Sequence, residues 1–559
     1  MSNKNLRTVS DYIAEFIAIN DSKAVFQLSG GMITFMIDAI ARLGVTPIIN
    51  NRHEQASGFA AEGATRVSDI PSFAFGTSGP GATNLITPIA SCFFDSVPVI
   101  FITGQVNTAE LRIDKKQRQN GFQELDISTI VKSITKKTYS PKNPLELISA
   151  LEDGWNLSQQ GRKGPVLIDV TINLQQEQID LTPKRITLKR TKTVIKKRKY
   201  EKLNTYLSQS KKPLILVGGG VRLDNAVDAL SNFVNRHQIP VVRSLMGIDS
   251  FNNTSDFDLG FIGSYGNRWA NKALKDSDLL IVLGSRLDIR QTGNSVSEFK
   301  KNKRIIRVDI DPKELSGRVS SDLEFEMSIC DFLESEYIVK NVVSTQNFIK
   351  EINLQKINFP QHLEQESELT LNPTNLFDWL GRVFSNTNGF VVDVGQHQMW
   401  AAQSINLYEG QRFITSGGLG AMGFALPVSI GATLAKSGKW VCVLGDGCFQ
   451  LSTQELQTIK HYQLPIAICV INNNQHGMVA QFQSENLDSR FIGTRIGYSV
   501  PDLERISKAY GFENYHQISK FEDLESIELV LNNWDDGPIF LEFKIQNSAM
   551  ALPKLTFKK

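Results

Sequence analysis

Two short segments near the C-terminal end of the chain carry residues of the right kind and spacing to hold a metal and an anion. Trp440-Val-Cys-Val-Leu runs into Gly445-Asp446-Gly447-Cys448, and Ile466-Ala-Ile-Cys-Val-Ile runs into Asn472-Asn473-Asn474-Gln475-His476-Gly477-Met478. Asp446 and Asn473, 27 positions apart, supply a carboxylate and a carboxamide, both hard oxygen donors. Glycines 445, 447 and 477 let backbone approach a bulky anion, and oxygen donors with open coordination positions suit Mg2+ shared with phosphates. An isolated Gly-Asp-Gly is a turn. Set between two strand-like runs with an Asn in register, it has the chemistry of a metal-bridged diphosphate.

Parallel strands must position these residues. The β-branched apolar runs 440–444 and 466–471 flank a stretch with helical spacing at Leu451, Leu456, Ile459 and Tyr462. That predicts a βαβ unit whose strands are covered on both faces and whose carboxyl ends open on one ligand-holding crevice. A second constellation, Arg52-His53-Glu54-Gln55-Ala56, follows a strand and begins a helix, where Glu54 by itself is a first-turn carboxylate facing the helix dipole. Strand candidates alternate with helical segments along the whole chain. They are Ala24–Leu28, Thr46–Asn50, Ser72–Phe75, Val97–Ile102 and Val166–Val170, then Leu214–Val217, Leu279–Leu283 and Ile305–Asp309. The expected class is α/β, with three doubly wound parallel-sheet domains at 1–180, 203–345 and 373–559. Thr182–Lys202, with ten Lys or Arg in 21 residues, reads as a solvated basic linker, and the polar stretch 346–372 as a second. Gly218-Gly219-Gly220 lacks the spacing of a dinucleotide fingerprint.

Composition narrows the partners. Sixty basic against 58 acidic residues leave +2, so no overall field points to nucleic acid or membrane. The five cysteines (92, 330, 442, 448, 469) form no CxxC pair and read as small core residues of a cytoplasmic protein. Residues 413–435 are uncharged and long enough to cross a bilayer, but Gly417, Gly418, Gly420, Gly423 and Pro427 argue for a buried glycine-rich loop entering a core helix. The N-terminus opens into an amphipathic segment, unlike a signal sequence.

The Gly445-Asp446-Gly447…Asn473 pattern resembles the diphosphate-binding motif of thiamin-diphosphate (ThDP) enzymes. The resemblance implies that Asp446 and Asn473 are side-chain Mg2+ ligands and that Gln475 lends its backbone carbonyl. It also implies that Gly445, Gly447, Cys448, His476, Gly477 and Met478 lie along the cofactor. Glu54 matches the glutamate that, in this family, hydrogen-bonds the aminopyrimidine ring and favours the imino form that takes the thiazolium C2 proton. Bringing it to Asp446 takes a domain face that this family supplies from a second subunit, so a homodimer or homotetramer is implied.

The likeness narrows to acetolactate synthases. Gly76-Thr-Ser-Gly-Pro80-Gly-Ala-Thr-Asn84 is similar to the loop beside the pyrimidine, and Gly395-Gln396-His397 to the diphosphate-contacting element. Gly418-Leu-Gly420-Ala-Met422-Gly resembles the loop whose Met props the cofactor in a bent shape, although a buried Met is also ordinary packing. Gly121-Phe122-Gln-Glu is similar to the segment lining the acceptor pocket. Gly219, Leu245, Met246, Arg286, Arg290, Asp309 and Asp331 fall in segments resembling the FAD-binding parts of biosynthetic acetolactate synthases. Asp309 and Asp311 read equally as strand-end carboxylates.

The implied reaction decarboxylates pyruvate and passes the two-carbon unit to a second 2-oxo acid, giving 2-acetolactate, with Arg290 gripping the acceptor carboxylate. Two positions depart from the pattern: Phe482 stands where a Trp is common, and Ile289 replaces an Asp beside the arginine. With Gly121-Phe-Gln-Glu and the ending Ala551–Lys559, these keep open transfer to a keto-sugar nucleotide. A lyase releasing the aldehyde, for which a carboxylate clamp has no use, and a non-catalytic scaffold, for which Glu54, Asp446 and Asn473 need not persist, complete the alternatives.

Overall fold

The computed structural model describes residues 7–114, 116–188, 196–339, 344–365, 369–534 and 537–554. It contains three six-stranded sheets, all of whose pairings are parallel. The first comprises β1 (Val25–Gln27), β2 (Ile48–Asn50), β3 (Phe73–Gly76), β4 (Ile100–Gln105), β5 (Lys137–Tyr139) and β6 (Val166–Thr171), in the order β2-β1-β3-β4-β6-β5. The second comprises β7 (Pro213–Val217), β8 (Val241–Arg243), β9 (Asp258–Phe261), β10 (Leu279–Leu283), β11 (Arg304–Asp309) and β12 (Leu323–Glu326), in the order β9-β8-β7-β10-β11-β12. The third comprises β13 (Gly389–Val392), β14 (Arg412–Thr415), β15 (Trp440–Gly445), β16 (Ile466–Asn472), β17 (Tyr515–Ile518) and β18 (Ile539–Lys544), in the order β14-β13-β15-β16-β18-β17. Leu279-Leu-Ile-Val-Leu shows why such runs become central strands: all five side chains are buried, which only a sheet covered on both faces provides.

The first and third domains share a core. Helix α1 (Glu54–Ser68) lies along helix α3 (Ala425–Ala435), and Phe59 meets Phe424 edge-on at 5.4 Å. Small residues permit this approach. A Cβ at Gly431 would run into the Ala60 carbonyl, and one at Gly63 would lie 3.0 Å from the Cα of Val428. Apolar residues of both domains form one continuous buried cluster.

Three expectations change. The segment after Asp446 is two short helices, α4 (Asp446–Gln450) and Leu456–His461, joined by a 3-10 turn, so one helical period does not run through it. Leu451 is exposed, and Tyr462 is half-buried against the shared core, its hydroxyl accepting the Asn50 N–H of the first domain at 3.2 Å. The basic stretch 182–202 is not linker throughout: helix Lys197–Gln209 starts inside it and buries Tyr200, Leu203 and Leu207, while 189–195 lie outside the described residues. The stretch 346–372 opens with a helix, Gln346–Asn358, that buries Phe348, Ile349 and Ile352 against the second domain. Its polar residues face outward, which masked the apolar stripe. The last five residues, 555–559, also lie outside the described set.

All five cysteines are buried, and none of them forms a disulfide among the described residues. Among the described residues no helix is long and apolar enough to cross a membrane. Residues 413–424 form the end of β14 and a glycine-rich loop, and α3 follows as a core helix.

Candidate active site

Asp446 follows the last residue of β15, and Asn473 follows the last residue of β16, whose Ile471 pairs with Gly445. The two residues meet directly. Asp446 Oδ2 accepts the backbone N–H groups of Asn473 (3.0 Å) and Asn474 (2.8 Å), and Oδ1 accepts the Tyr498 hydroxyl at 2.6 Å. Burial pushes the Asp446 carboxyl above its ordinary range, against the pull of these donors. A bound cation would act in the opposite direction. Among the described residues no three His, Cys, Asp or Glu side chains form a metal cluster. A cation here would rest on one carboxylate with amide and carbonyl oxygens, the donor set of a hard ion.

Glycines draw the rest of the cradle together. Gln396 and His397 open helix α2 (Gln396–Ser404) after β13, and Gln396 Oε1 accepts from Asn473 Nδ2 at 3.0 Å. A Cβ at Gly477 would strike the Gln396 carboxamide, and one at Gly445 would lie 3.1 Å from the His397 ring. At Gly447 it would be 2.8 Å from the His476 ring and 3.3 Å from Met422. His397 is buried, its Nε2 has no partner among the described residues, and burial lowers its pKa to about 3, so it stays neutral. Gly420 has φ +70°, a left-handed turn that carries Met422 inward. Cys448 is buried with its thiol on the Val394 carbonyl at 3.2 Å. The Gln475 carboxamide donates to Asn547 O (2.8 Å) and accepts from Arg495 Nε (2.6 Å). Met478 is half-buried in the first turn of α5 (Gly477–Asn486).

In the first domain, Glu54 is the first residue of α1, capped by the His53 ring, which accepts the Gln55 N–H at 3.1 Å. Glu54 Oε2 accepts from Asn84 Nδ2 at 2.9 Å, and a Cβ at Gly81 would lie 3.2 Å from its other oxygen. Pro80 opens the short helix that holds Asn84. Gly79, at φ +61°, lies against Gln123, so the loop bearing Phe122 rests on this one, while the Phe122 ring itself is 81% exposed. These contacts of Glu54 stay within its own domain. The link to the Asp446 region runs through the preceding residues: Asn51 Nδ2 and the Arg52 N–H donate to the Glu455 carboxylate at 3.0 and 2.8 Å.

Gly219, Leu245, Met246, Arg286, Arg290 and Asp309 line one cavity of about 840 Å3 where all three domains meet. The first domain adds Arg66, Arg162 and Lys163 to its wall, and the third adds Arg412. The volume is that of a cofactor cleft. Glycine contacts make the floor: a Cβ at Gly220 would lie 2.7 Å from the Cα of Gly284. Asp331 is not part of this lining; it sits in the first turn of the helix Ile329–Leu333, its N–H on Ser328 Oγ at 3.3 Å. Phe482, 54% exposed on α5, and Phe122 lie outside the lining as well.

Several residues that build the site carried no motif. Tyr498 and Arg495 reach back from a loop 52 and 20 positions beyond their partners. Asp393 follows β13 as Asp446 follows β15, so the strand-end rule could have found it. Its carboxylate accepts the N–H groups of Val394 (2.8 Å), Gly423 (3.2 Å) and Ala425 (2.7 Å), joining the loops of His397 and Met422, and burial pushes it up to about 6.

Comparison with known proteins accounts for all three domains. The thiamine pyrophosphate enzyme N-terminal TPP binding domain matches residues 7–130, the central domain 200–335 and the C-terminal TPP binding domain 393–543. The acetolactate synthase large subunit of Cyanidium caldarium is 33% identical over 99% of this chain and 96% of its own length. That of Pyropia yezoensis is 33% identical over 95% and 90%, and that of Corynebacterium glutamicum 33% over 95% and 86%. The chain belongs to the thiamine pyrophosphate enzymes and, within them, is an acetolactate synthase-like enzyme of the large-subunit type.

Proposed function

We propose that this enzyme decarboxylates pyruvate and joins the two-carbon unit to a second 2-oxo acid, forming 2-acetolactate. The observation that carries the reading is the convergence of Asp446, Asn473, Gln396 and a neutral His397, whose Nε2 has no partner among the described residues, at the carboxyl ends of β13, β15 and β16. That donor set fits a diphosphate carried with Mg2+: Asp446 and Asn473 as side-chain ligands, the Gln475 carbonyl as a third, and the His397 ring with the Gln396 backbone N–H at the start of α2 against phosphate oxygens. Thiamin diphosphate, when bound, supplies the electron sink for decarboxylation of a 2-oxo acid. Glu54, held by Asn84, is suited to share a proton with the aminopyrimidine ring nitrogen. Its contacts lie within its own domain and Phe122 stands exposed, which supports a site completed by a second copy of the chain.

The three-domain cavity, with its glycine floor and arginine walls, fits FAD. Arg290 in that wall has the planar fork that grips a carboxylate, so it is the residue to bind the acceptor, with Phe122 and Phe482 shaping its surroundings. A second reading, transfer to a keto-sugar nucleotide, draws support from Ile289: a half-exposed apolar side chain stands directly before Arg290, and the nearby Asp288 carboxylate is engaged by the Arg290 backbone N–H at 2.9 Å.

Purified protein with ThDP and MgCl2 should be yellow and convert pyruvate alone to acetolactate, followed by NMR. Negligible acetolactate, with pyruvate consumption strongly accelerated by a keto-sugar nucleotide, would replace the first reading by the second.

A further inference from the structure

The C-terminal segment 547–554 is laid across the third domain by side-chain carboxamides. Gln361 and Gln403 both donate to Leu552 O (2.7 and 2.9 Å), Gln365 donates to Met550 O (2.7 Å), and Gln475 donates to Asn547 O (2.8 Å). One contact differs in kind. Gln481, 4% exposed on α5, makes a reciprocal pair with Ala551: the Ala551 N–H donates to its Oε1 at 2.9 Å, and its Nε2 donates to the Ala551 carbonyl at 3.1 Å.

A carboxamide can be turned end for end, but a backbone N–H can only donate and a carbonyl can only accept. Ala551 therefore fixes which end of Gln481 is oxygen. That oxygen also accepts from Gln396 Nε2 at 3.2 Å, so Gln396 must present its nitrogen to Gln481. The Ala549 carbonyl, which takes the same nitrogen at 3.1 Å, lies two residues before Ala551 on the segment that Gln481 clamps, so both constraints on Gln396 depend on Gln481. Gln396 Oε1 is then left facing Asn473, whose Nδ2 donates to it at 3.0 Å. Asn473 has its nitrogen committed, and its oxygen is the end left for a cation. Gln396 and Gln481 are 4% exposed and Asn473 is 9% exposed, so water does not scramble the chain of orientations.

We infer that Gln481 is a positioning residue: it relays the fixed polarity of the C-terminal strap through Gln396 and so presents the Asn473 oxygen, rather than its NH2, to the metal position. This rests on the Mg2+ assignment proposed above.

Calorimetric titration of MgCl2 into the full-length protein with saturating ThDP separates the two claims. Gln481→Leu, which removes the polar relay at similar size, should raise the Mg2+ Kd by ~10–100-fold, the cost expected of an outer residue orienting a metal ligand. Asn473→Asp, whose two oxygens make orientation irrelevant, should then improve affinity by at least ~10-fold more in the Gln481→Leu chain than in the wild-type chain, since its added charge acts in both. Gln481→Glu, protonated in this buried setting, keeps an acceptor for Gln396 and a donor for Ala551, and should hold Kd within ~threefold. It serves if the leucine variant does not fold. A Gln481→Leu protein with wild-type Mg2+ affinity, an equal gain from Asn473→Asp in both chains, or a tenfold loss in Gln481→Glu would overturn the relay alone. Wild-type protein that takes up neither Mg2+ nor ThDP would overturn the metal assignment and the relay with it.

Discussion

The first and third sheets have the same strand order. Renumbered within each domain, both read 2-1-3-4-6-5, yet the crevice between strands 1 and 3 is treated in opposite ways. In such sheets that reversal point is where ligands settle. The third domain lines it with polar side chains, His397 after β13 and Asp446 after β15. The first domain closes it. Gly30, after β1, is so near Thr77, after β3, that a Cβ would lie 2.6 Å from its methyl group, and the Thr77 hydroxyl accepts the Met32 N–H at 3.2 Å. Thr77 and Asp446 occupy the same place in the two sheets. What the first domain contributes comes instead from the residues after strand 2, where Glu54 starts α1. One scaffold thus serves two purposes, and the first residue past each strand decides which.

The sharpest way to break this contrast is Asp446→Ala. It should abolish ThDP retention by calorimetry while the circular-dichroism spectrum stays native, because on the proposed reading it removes the anionic ligand of the metal. Thr77→Ala, at the same place in the closed crevice, should cost only ~1 kcal/mol in denaturant unfolding and leave Mg2+ affinity alone. Tight ThDP binding by Asp446→Ala would erase the distinction.

Next is Glu54→Gln, which keeps the helix start and the Asn84 contact but removes a shared proton. Cofactor binding should persist while NMR-measured exchange of the ThDP C2 proton slows by ~10²–10⁴. Unchanged exchange would take Glu54 out of the chemistry.

The fourth residues of β6 and β18 give a subtler comparison. Glu542 is paired with Lys544 at 2.6 Å, whereas among the described residues the Asp169 donors are Thr103 (2.6 Å) and Gln105 (3.0 Å), and burial pushes its carboxyl to about 7. A folded-state pKa raised above the unfolded 3.8 means the fold holds this proton more tightly. Its contribution is fully present below about pH 4 and is lost as pH rises through about 7. Asp169→Asn, freed from that penalty, should gain on wild type by at most about 1.4 kcal/mol per pH unit across the window in urea unfolding. A pH-independent difference would show that Asp169 stays ionised throughout.

A last comparison concerns the seam between the two domains. Gly431→Val must push α3 off the Ala60 carbonyl and should cost ~1–3 kcal/mol, seen as an earlier denaturation midpoint. No shift would mean that the helices part easily.

The sequence by itself determined the three α/β domains, because a run such as Leu279–Leu283 has no other stable home than a sheet covered on both faces. It also placed Asp446 and Asn473 with glycines 445, 447 and 477 at the ends of two neighbouring strands, since period-2 and period-3.6 patterns locate strand ends, whereas Gln396 and His397 entered only through the family resemblance. It misjudged the segment after Asp446, where the helix breaks in two, and the helix at Gln346–Asn358, whose polar face hid its three apolar anchors. Only the tertiary structure decided that Asp331 leaves the central cavity while Arg162 and Lys163 enter it. It alone joined Asn51 and Arg52 to Glu455, some 400 positions away, and set Gln481 between Ala551 and Gln396. Such contacts leave no periodic trace. A hydrogen bond needs only one donor and one acceptor at about 3 Å, a condition that chain folding meets between any two positions and that no local spacing encodes.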